Sequence, residues 1–303
     1  MPPLVPDTDH KPNQTKPKTH KNKTHTTTTK PTNQQYKQQR QVNHLGPYTL
    51  TRLLEKKLVA SKARVVSVCS VTHRMTRLRD ARLFLTDFKA GFYQHAKLAN
   101  VYTAFEGQRR LGPLGVTWCA ADPGAVRTAI YDNSPALGKG LANRMINAFY
   151  APPEDGAQAV IHAATVIWAT EAPEFAAAAA KKAAAAAAAA GGKGGGGGGK
   201  PAVLPHEDLR YYARGVFTWP TVCNDWAIGG KSAAAQMKAK AWGAGTVALS
   251  FLDWPLRRWT GGRVAGASAA CRPGSHAYDA RVAADLWDVS AEFAKVPAKP
   301  QTT

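Results

Sequence analysis

Two short runs of apolar, largely β-branched residues set the frame for this 303-residue chain: Arg64-Val-Val-Ser-Val-Cys69, and Gly115-Val-Thr-Trp-Cys-Ala120, which ends at Asp122-Pro-Gly124. A strand with one wet face alternates apolar and polar residues. A run without alternation is what a strand covered on both faces requires, and sheets covered on both faces are mostly parallel. Stretches of helical character lie around both runs. Leu45, Leu50, Leu53, Leu54 and Leu58 recur at helical spacing from Gly46 to Val59, Phe92 to Arg110 is a second helical stretch, and Pro153 to Ala169 a third. Helix, strand, helix, strand, helix predicts an α/β layer structure with parallel strands.

Composition matters mainly for what surrounds this core. The chain carries 40 Lys+Arg against 20 Asp+Glu, a net charge of +20. Residues 1–42 hold eight basic and two acidic side chains, and residues 176–200 hold four Lys among 13 Ala and eight Gly, so half of the excess belongs to low-complexity sequence. Residues 1–42, rich in Thr, Lys, Gln, Asn and Pro, have too few apolar groups to offset chain entropy and are expected to be disordered. Residues 176–200 read as a frayed helix followed by a glycine tether. These boundaries leave residues 43–175 as one half of an α/β domain, 201–294 as its remainder with a closing helix at Ala280 to Ala294, and 295–303 as a disordered tail.

Several classes are excluded. The four cysteines, Cys69, Cys119, Cys223 and Cys271, form no CxxC pair, which argues against a zinc module and a disulfide scaffold. The apolar run Ala241 to Leu252 is 12 residues long, short of the roughly 20 needed to span hydrocarbon. No charged region followed by an apolar core opens the chain, so an intracellular location is expected, cytoplasmic or on an organelle membrane. The basic tail has one aromatic residue, Tyr36, and no nucleic-acid-binding motif, so specific nucleic-acid recognition is not expected.

The chemistry-bearing residues sit at equivalent ends of successive elements. Tyr93 and Lys97 are four apart in Tyr-Gln-His-Ala-Lys, which puts a phenol and an ammonium on one helical face. A nearby cation favours the phenolate, so the pair can exchange a proton, although a solvated helix face explains the same spacing. Ser70 follows the first strand and Pro123-Gly124 the second, at the carboxyl ends where open parallel sheets place ligand sites. Asn43 opens the preceding helix.

The ordered set VNHLGPYTLTRLL, RVVSVCSVTH, YQHAKLANV, ADPGAVRT, PPEDGAQAV and ADLWDVSAE resembles the carboxyl-terminal half of a short-chain dehydrogenase/reductase, in its retinol dehydrogenase-like branch. The likeness covers residues 42–175, returns weakly near Tyr211-Tyr212-Ala-Arg-Gly215 and more clearly over 278–293. It implies a partial doubly wound, Rossmann-like parallel sheet lacking its first strands. It further implies that Tyr93 is the general acid or base, that Lys97 lowers the phenol pKa and holds the nicotinamide ribose, that Ser70 bonds the substrate oxygen, and that Asn43 supports a proton relay. Pro123, Gly124, Val126 and Thr128 would line the nicotinamide side of NADP or NAD, Tyr93 and Lys97 contributing to the same site.

The implied substrate is a lipophilic alcohol or carbonyl. A homodimer through helices such as 92–110, and peripheral membrane contact or a substrate lid from the aromatic region 211–262, are the implied partner readings. The family's TGxxxGxG turn and NNAG segment are absent from this sequence, and the glycine run at 191–199 follows poly-Ala rather than a strand, so it is no phosphate cradle. Two alternatives follow: an oxidoreductase whose complete form has that half, or a catalytically inactive truncated chain that acts by binding. Around the site, Cys69 reads as a packed thiol, His73 as structural, and Arg74, Arg77, Arg79 and Arg82 as a solvated basic loop. The strand at 64–69 would lie at an exposed sheet edge.

Overall fold

The computed structural model describes residues 33–87, 93–131, 139–166, 211–213, 245, 252–260, 269–271, 277 and 279–300. Within them the helices are α1 (Asn33–Arg40), α2 (Gly46–Leu53), α3 (Glu55–Ala60), α4 (Ala81–Thr86), α5 (Tyr93–Leu111), α6 (Gly140–Phe149), α7 (Pro153–Thr165), α8 (Asp253–Thr260) and α9 (Ala280–Ala294). The strands are β1 (Arg64–Val68), β2 (Thr117–Asp122), β3 (Tyr211–Ala213) and β4 (Ala269–Cys271), in the spatial order β1-β2-β3-β4. The first three are parallel, with Val66 opposite Cys119 and Ala121 opposite Tyr212, and β4 runs antiparallel to β3. This is a partial doubly wound α/β sheet, and β1 forms one edge of it.

The unbroken apolar character of β1 and β2 has its cause in the two layers that cover them. Val65, Trp118, Ala120 and Tyr211 face the core that contains α5 and α9. Val66, Cys119, Ala121 and Tyr212 face the opposite way, onto Val160 and Ala163 of α7. Helix α5 is buried almost all round, through Ala96, Leu98, Ala99, Val101, Tyr102, Ala104 and Phe105. Gly107 lets the Trp118 indole lie against the helix backbone: a Cβ there would meet the ring at 2.2 Å. Helix α9 starts at Asp279, whose carboxylate accepts from Val282 N at 3.1 Å, and stops at Lys295 in the left-handed region, φ 54°.

Four expectations need correction. Residues 33–42, placed in the disordered tail, are helical: α1 runs into a π-helical turn, Gln41–Leu45, and Arg40 is buried, donating to Phe84 O (2.9 Å) and Asp87 O (3.0 Å). One anchored guanidinium supplies what the apolar composition could not. The single helix expected over 46–59 is two, and its buried face is Tyr48, Arg52 and Glu55, while Leu50, Leu53 and Leu54 are exposed. Burial of that polar face is offset by an Arg52–Glu55 ion pair at 2.7 Å, the Trp287 ring 4.8 Å from the guanidinium, and bonds to Pro297 O and Lys299 O. Those same bonds order residues 295–300, expected to be a loose tail. Finally, Arg74 is buried rather than part of a solvated loop. The Ala/Gly stretch 176–200 and most of the aromatic region 211–262 lie outside the described residues.

Candidate active site

The site forms where β1 and β2 end and α5 begins. Parallel neighbours bring their carboxyl ends to the same side of the sheet, so the turn after β1 and the turn after β2 are adjacent there. Ser70 caps a 3-10 turn, Val71–Met75, and its hydroxyl also takes the Thr72 hydroxyl at 3.2 Å. The Ser70 hydroxyl lies near enough to the Tyr93 phenol, at the start of α5, to hold its pKa down. One turn further along α5, Lys97 Nζ donates to Val68 O at 3.1 Å and lies 5.5 Å from the centre of the Tyr93 ring. Ser70, Tyr93 and Lys97 thus gather at one end of the sheet, with the tyrosine exposed to solvent.

The electrostatics differ from expectation in one respect. Burial pushes the Tyr93 phenol above its ordinary value; the Ser70 hydroxyl pulls it down, and Asp122, Tyr131 and Cys69 add to the rise. Lys97 does not bring it below the usual range, because the ammonium is directed to a backbone carbonyl rather than to the phenol oxygen. Burial also lowers the Lys97 pKa, with Cys69 and Asp122 opposing that shift. The phenol therefore rests in its protonated form at neutral pH.

The other sequence-derived residues are placed as follows. Asn43, in the π-helical turn, donates to Gln39 Oε1 at 3.2 Å and borders the same groove as Lys97, a cleft of about 320 Å³ along the open edge of β1. Pro123 and Gly124 form the turn after β2; Gly124 has φ 77°, and a Cβ on it would meet nothing within 4 Å. Val126 bridges Ala151 and packs against Gly156, and Thr128 is exposed, its carbonyl accepting from Tyr131 N; neither has a contact to Tyr93 or Lys97 among the described interactions. Cys69 is a packed thiol donating to Ala121 O at 3.1 Å. His73 is fully buried, with Nδ1 2.7 Å from Ser70 O.

Sequence reasoning missed two residues. Asp122, the last residue of β2, is completely buried, with Oδ1 accepting from Gly124 N and Oδ2 from the Tyr211 hydroxyl, both at 3.0 Å. The available signal was a carboxylate closing an otherwise apolar strand. Tyr211 opens β3, a strand of three residues. No helix among the described residues is long and apolar enough to cross a membrane.

Comparison with known proteins follows the same lines. The chain is 40% identical to Homo sapiens retinol dehydrogenase 12 over 126 residues, which is 41% of this chain and 39% of that protein. It is 36% identical to Homo sapiens retinol dehydrogenase 11 over 126 residues, again 41% and 39%, and 35% identical to Mus musculus retinol dehydrogenase 14 over 128 residues, 41% and 38%. The chain spans about two fifths of the length of these curated relatives. No family profile and no solved structure matches it. Over the matched length the chain is similar to retinol dehydrogenases and to a member of the short-chain dehydrogenase/reductase family.

Proposed function

We propose that this chain carries the proton-handling half of an NAD(P)-dependent oxidoreductase site that interconverts a lipophilic alcohol and its carbonyl, with Tyr93 as general acid and base. The observation that supports it is the grouping of a phenol, a serine hydroxyl and an ammonium at the carboxyl end of two parallel strands. In reduction, the protonated Tyr93 phenol donates to the carbonyl oxygen as negative charge develops there. Ser70 holds that oxygen with a preorganised donor, which lowers the barrier because it is in place beforehand. In oxidation the same phenol oxygen receives the proton.

The donor set suits the nicotinamide-ribose end of a dinucleotide. Lys97 offers an ammonium to ribose hydroxyls, Tyr93 a phenol beside it, and the turn at Gly124 open space. When bound, the nicotinamide supplies or accepts the hydride. No residue of this sequence is assigned to the phosphates, since it contains no TGxxxGxG turn. The lipophilic substrate follows from the names of the relatives.

A second reading, binding without turnover, is favoured by the position of β1 at the sheet edge with Val68 exposed. Titrating the purified chain with NADH or NADPH separates the two. Quenched Trp fluorescence, a raised melting temperature and turnover of a retinal-like carbonyl support the enzyme. No response to either cofactor supports the second reading. Replacing Tyr93 by Phe removes the exchangeable proton and lowers kcat by about 10²–10⁴-fold, with cofactor affinity nearly unchanged. Full activity in that variant ends the assignment of Tyr93.

A further inference from the structure

We propose that Asp122 is the positioning residue of this site: its carboxylate ties the turn after β2 to the first residue of β3, beside the turn after β1 that carries Ser70. The inference rests on the oxidoreductase reading above and assigns that site a residue in addition to Ser70, Tyr93 and Lys97.

Two tethers meet at the carboxylate. Gly124 N and the Tyr211 hydroxyl each donate at 3.0 Å, and the Val71 N–H lies on the same side and helps to hold the carboxyl pKa down. Val71 directly follows Ser70, whose hydroxyl lies near the Tyr93 phenol, and Gly124 belongs to the turn expected beside the nicotinamide. The turn after β2 and the start of β3 are thus fixed by one group. His73 tightens the same frame, because its Nδ1 holds Ser70 O and its ring lies 5.6 Å from that of Tyr211.

A buried carboxylate is costly unless donors compensate it. A strand otherwise built of Thr, Trp, Cys and Ala gains nothing in packing from a charge at its end, whereas a tether to two segments uses an acceptor with two oxygens. The groups facing Asp122 are Tyr211 on β3, Arg74 in the turn after β1, Cys69 at the end of β1, and Tyr93 and Lys97 on α5. Burial raises the Asp122 pKa, against the pull of its donors and Arg74; in its ionised form the carboxylate favours the protonated phenol of Tyr93 and the charged form of Lys97, the states that carbonyl reduction requires.

The test uses the full chain in wild-type form and as Asp122→Asn, Tyr211→Phe and Tyr93→Phe. Phenolate absorbance is followed against pH, the Tyr93 component being the one lost in Tyr93→Phe. In folded Asp122→Asn that component moves to lower pH. Turnover with NADH or NADPH falls about a hundredfold in Asp122→Asn, the size expected for a displaced reacting group, with little change in cofactor KM. Tyr211→Phe keeps the charge, removes one tether and falls about tenfold. A Tyr93 titration that stays in place in Asp122→Asn overturns the proposal, as does turnover within about twofold of wild type in both variants. A wild-type chain with no turnover removes the redox reading alone, and the titration still decides on Asp122.

Discussion

Two buried polar clusters flank α5, and they are built on opposite principles. Around Arg52, charge meets charge: its guanidinium pairs with Glu55, stacks on Trp287 and donates to the carbonyls of Pro297 and Lys299. Nearby, Glu106 pairs with Arg109 and Arg110, and Arg110 also reaches Asp288 and Ala298 O. Around Asp122, a carboxylate is held by neutral donors, and the phenol and amine beside it are shifted from their ordinary pKa values. Matched charges lock a fold and leave no group poised to change protonation. Beside Asp122 the shifted groups, Tyr93 and Lys97, stand at the carboxyl end of the sheet, and shifted groups in such a place mark a candidate site.

If the Arg52 cluster is a scaffold, its loss is paid in stability. Arg52→Ala leaves Glu55 buried without its partner and is expected to cost about 3–5 kcal/mol in urea unfolding, with activity per folded molecule unchanged. An activity loss exceeding the loss of folded protein would erase the distinction. Next in size is an acid sensitivity at His44, which is 1% exposed, bonded to Ser290 Oγ at 2.9 Å, and has its pKa lowered by burial to about 4. The unfolded chain, with an ordinary histidine near 6.5, takes up the proton first, so stability falls as pH drops from 6.5 towards 4, by about 3 kcal/mol. Unfolding free energies measured across that window should lose this slope in His44→Gln; an unchanged slope would assign the effect elsewhere.

Smaller effects sharpen the comparison. Gly107→Ala gains about 1 kcal/mol of helix propensity. It also drives a methyl into Trp118 at 2.2 Å, an overpacking that costs about 1–3 kcal/mol, so a net loss in melting temperature is expected. A raised melting temperature would show that the indole can move aside. At the small end, Arg82 and Glu292 form an ion pair, both more than half exposed. Water competes for such a pair, so Arg82→Ala should leave the melting curve in place, and a measurable drop would show that exposed charge also contributes to the scaffold.

Much of this arrangement was legible beforehand, for definite reasons. Strands β1 and β2 declare themselves by unbroken apolar runs, and Tyr93 and Lys97 by helical spacing, all of them local patterns. Strand β3 escaped because three residues carry no period. Helix α1 escaped because its hold on the core is Arg40 rather than an apolar stripe. The buried face of α2 was misread since leucines ordinarily point inward, whereas here Tyr48 and Arg52 do so, guided by Trp287 and Pro297 far along the chain. Asp122 was visible as a residue but not as a hub, because its Tyr211 partner lies 89 positions away and only the sheet brings the two together.

The clasp between α2 and the far end of the chain also governs when the molecule can mature. His44 meets Ser290 across 246 positions and Arg52 grips Lys299 across 247. A polypeptide made from its amino terminus therefore leaves the surfaces of α2 and α5 that α9 covers exposed until residues 280–299 have emerged, and uncovered apolar surface of that kind favours aggregation.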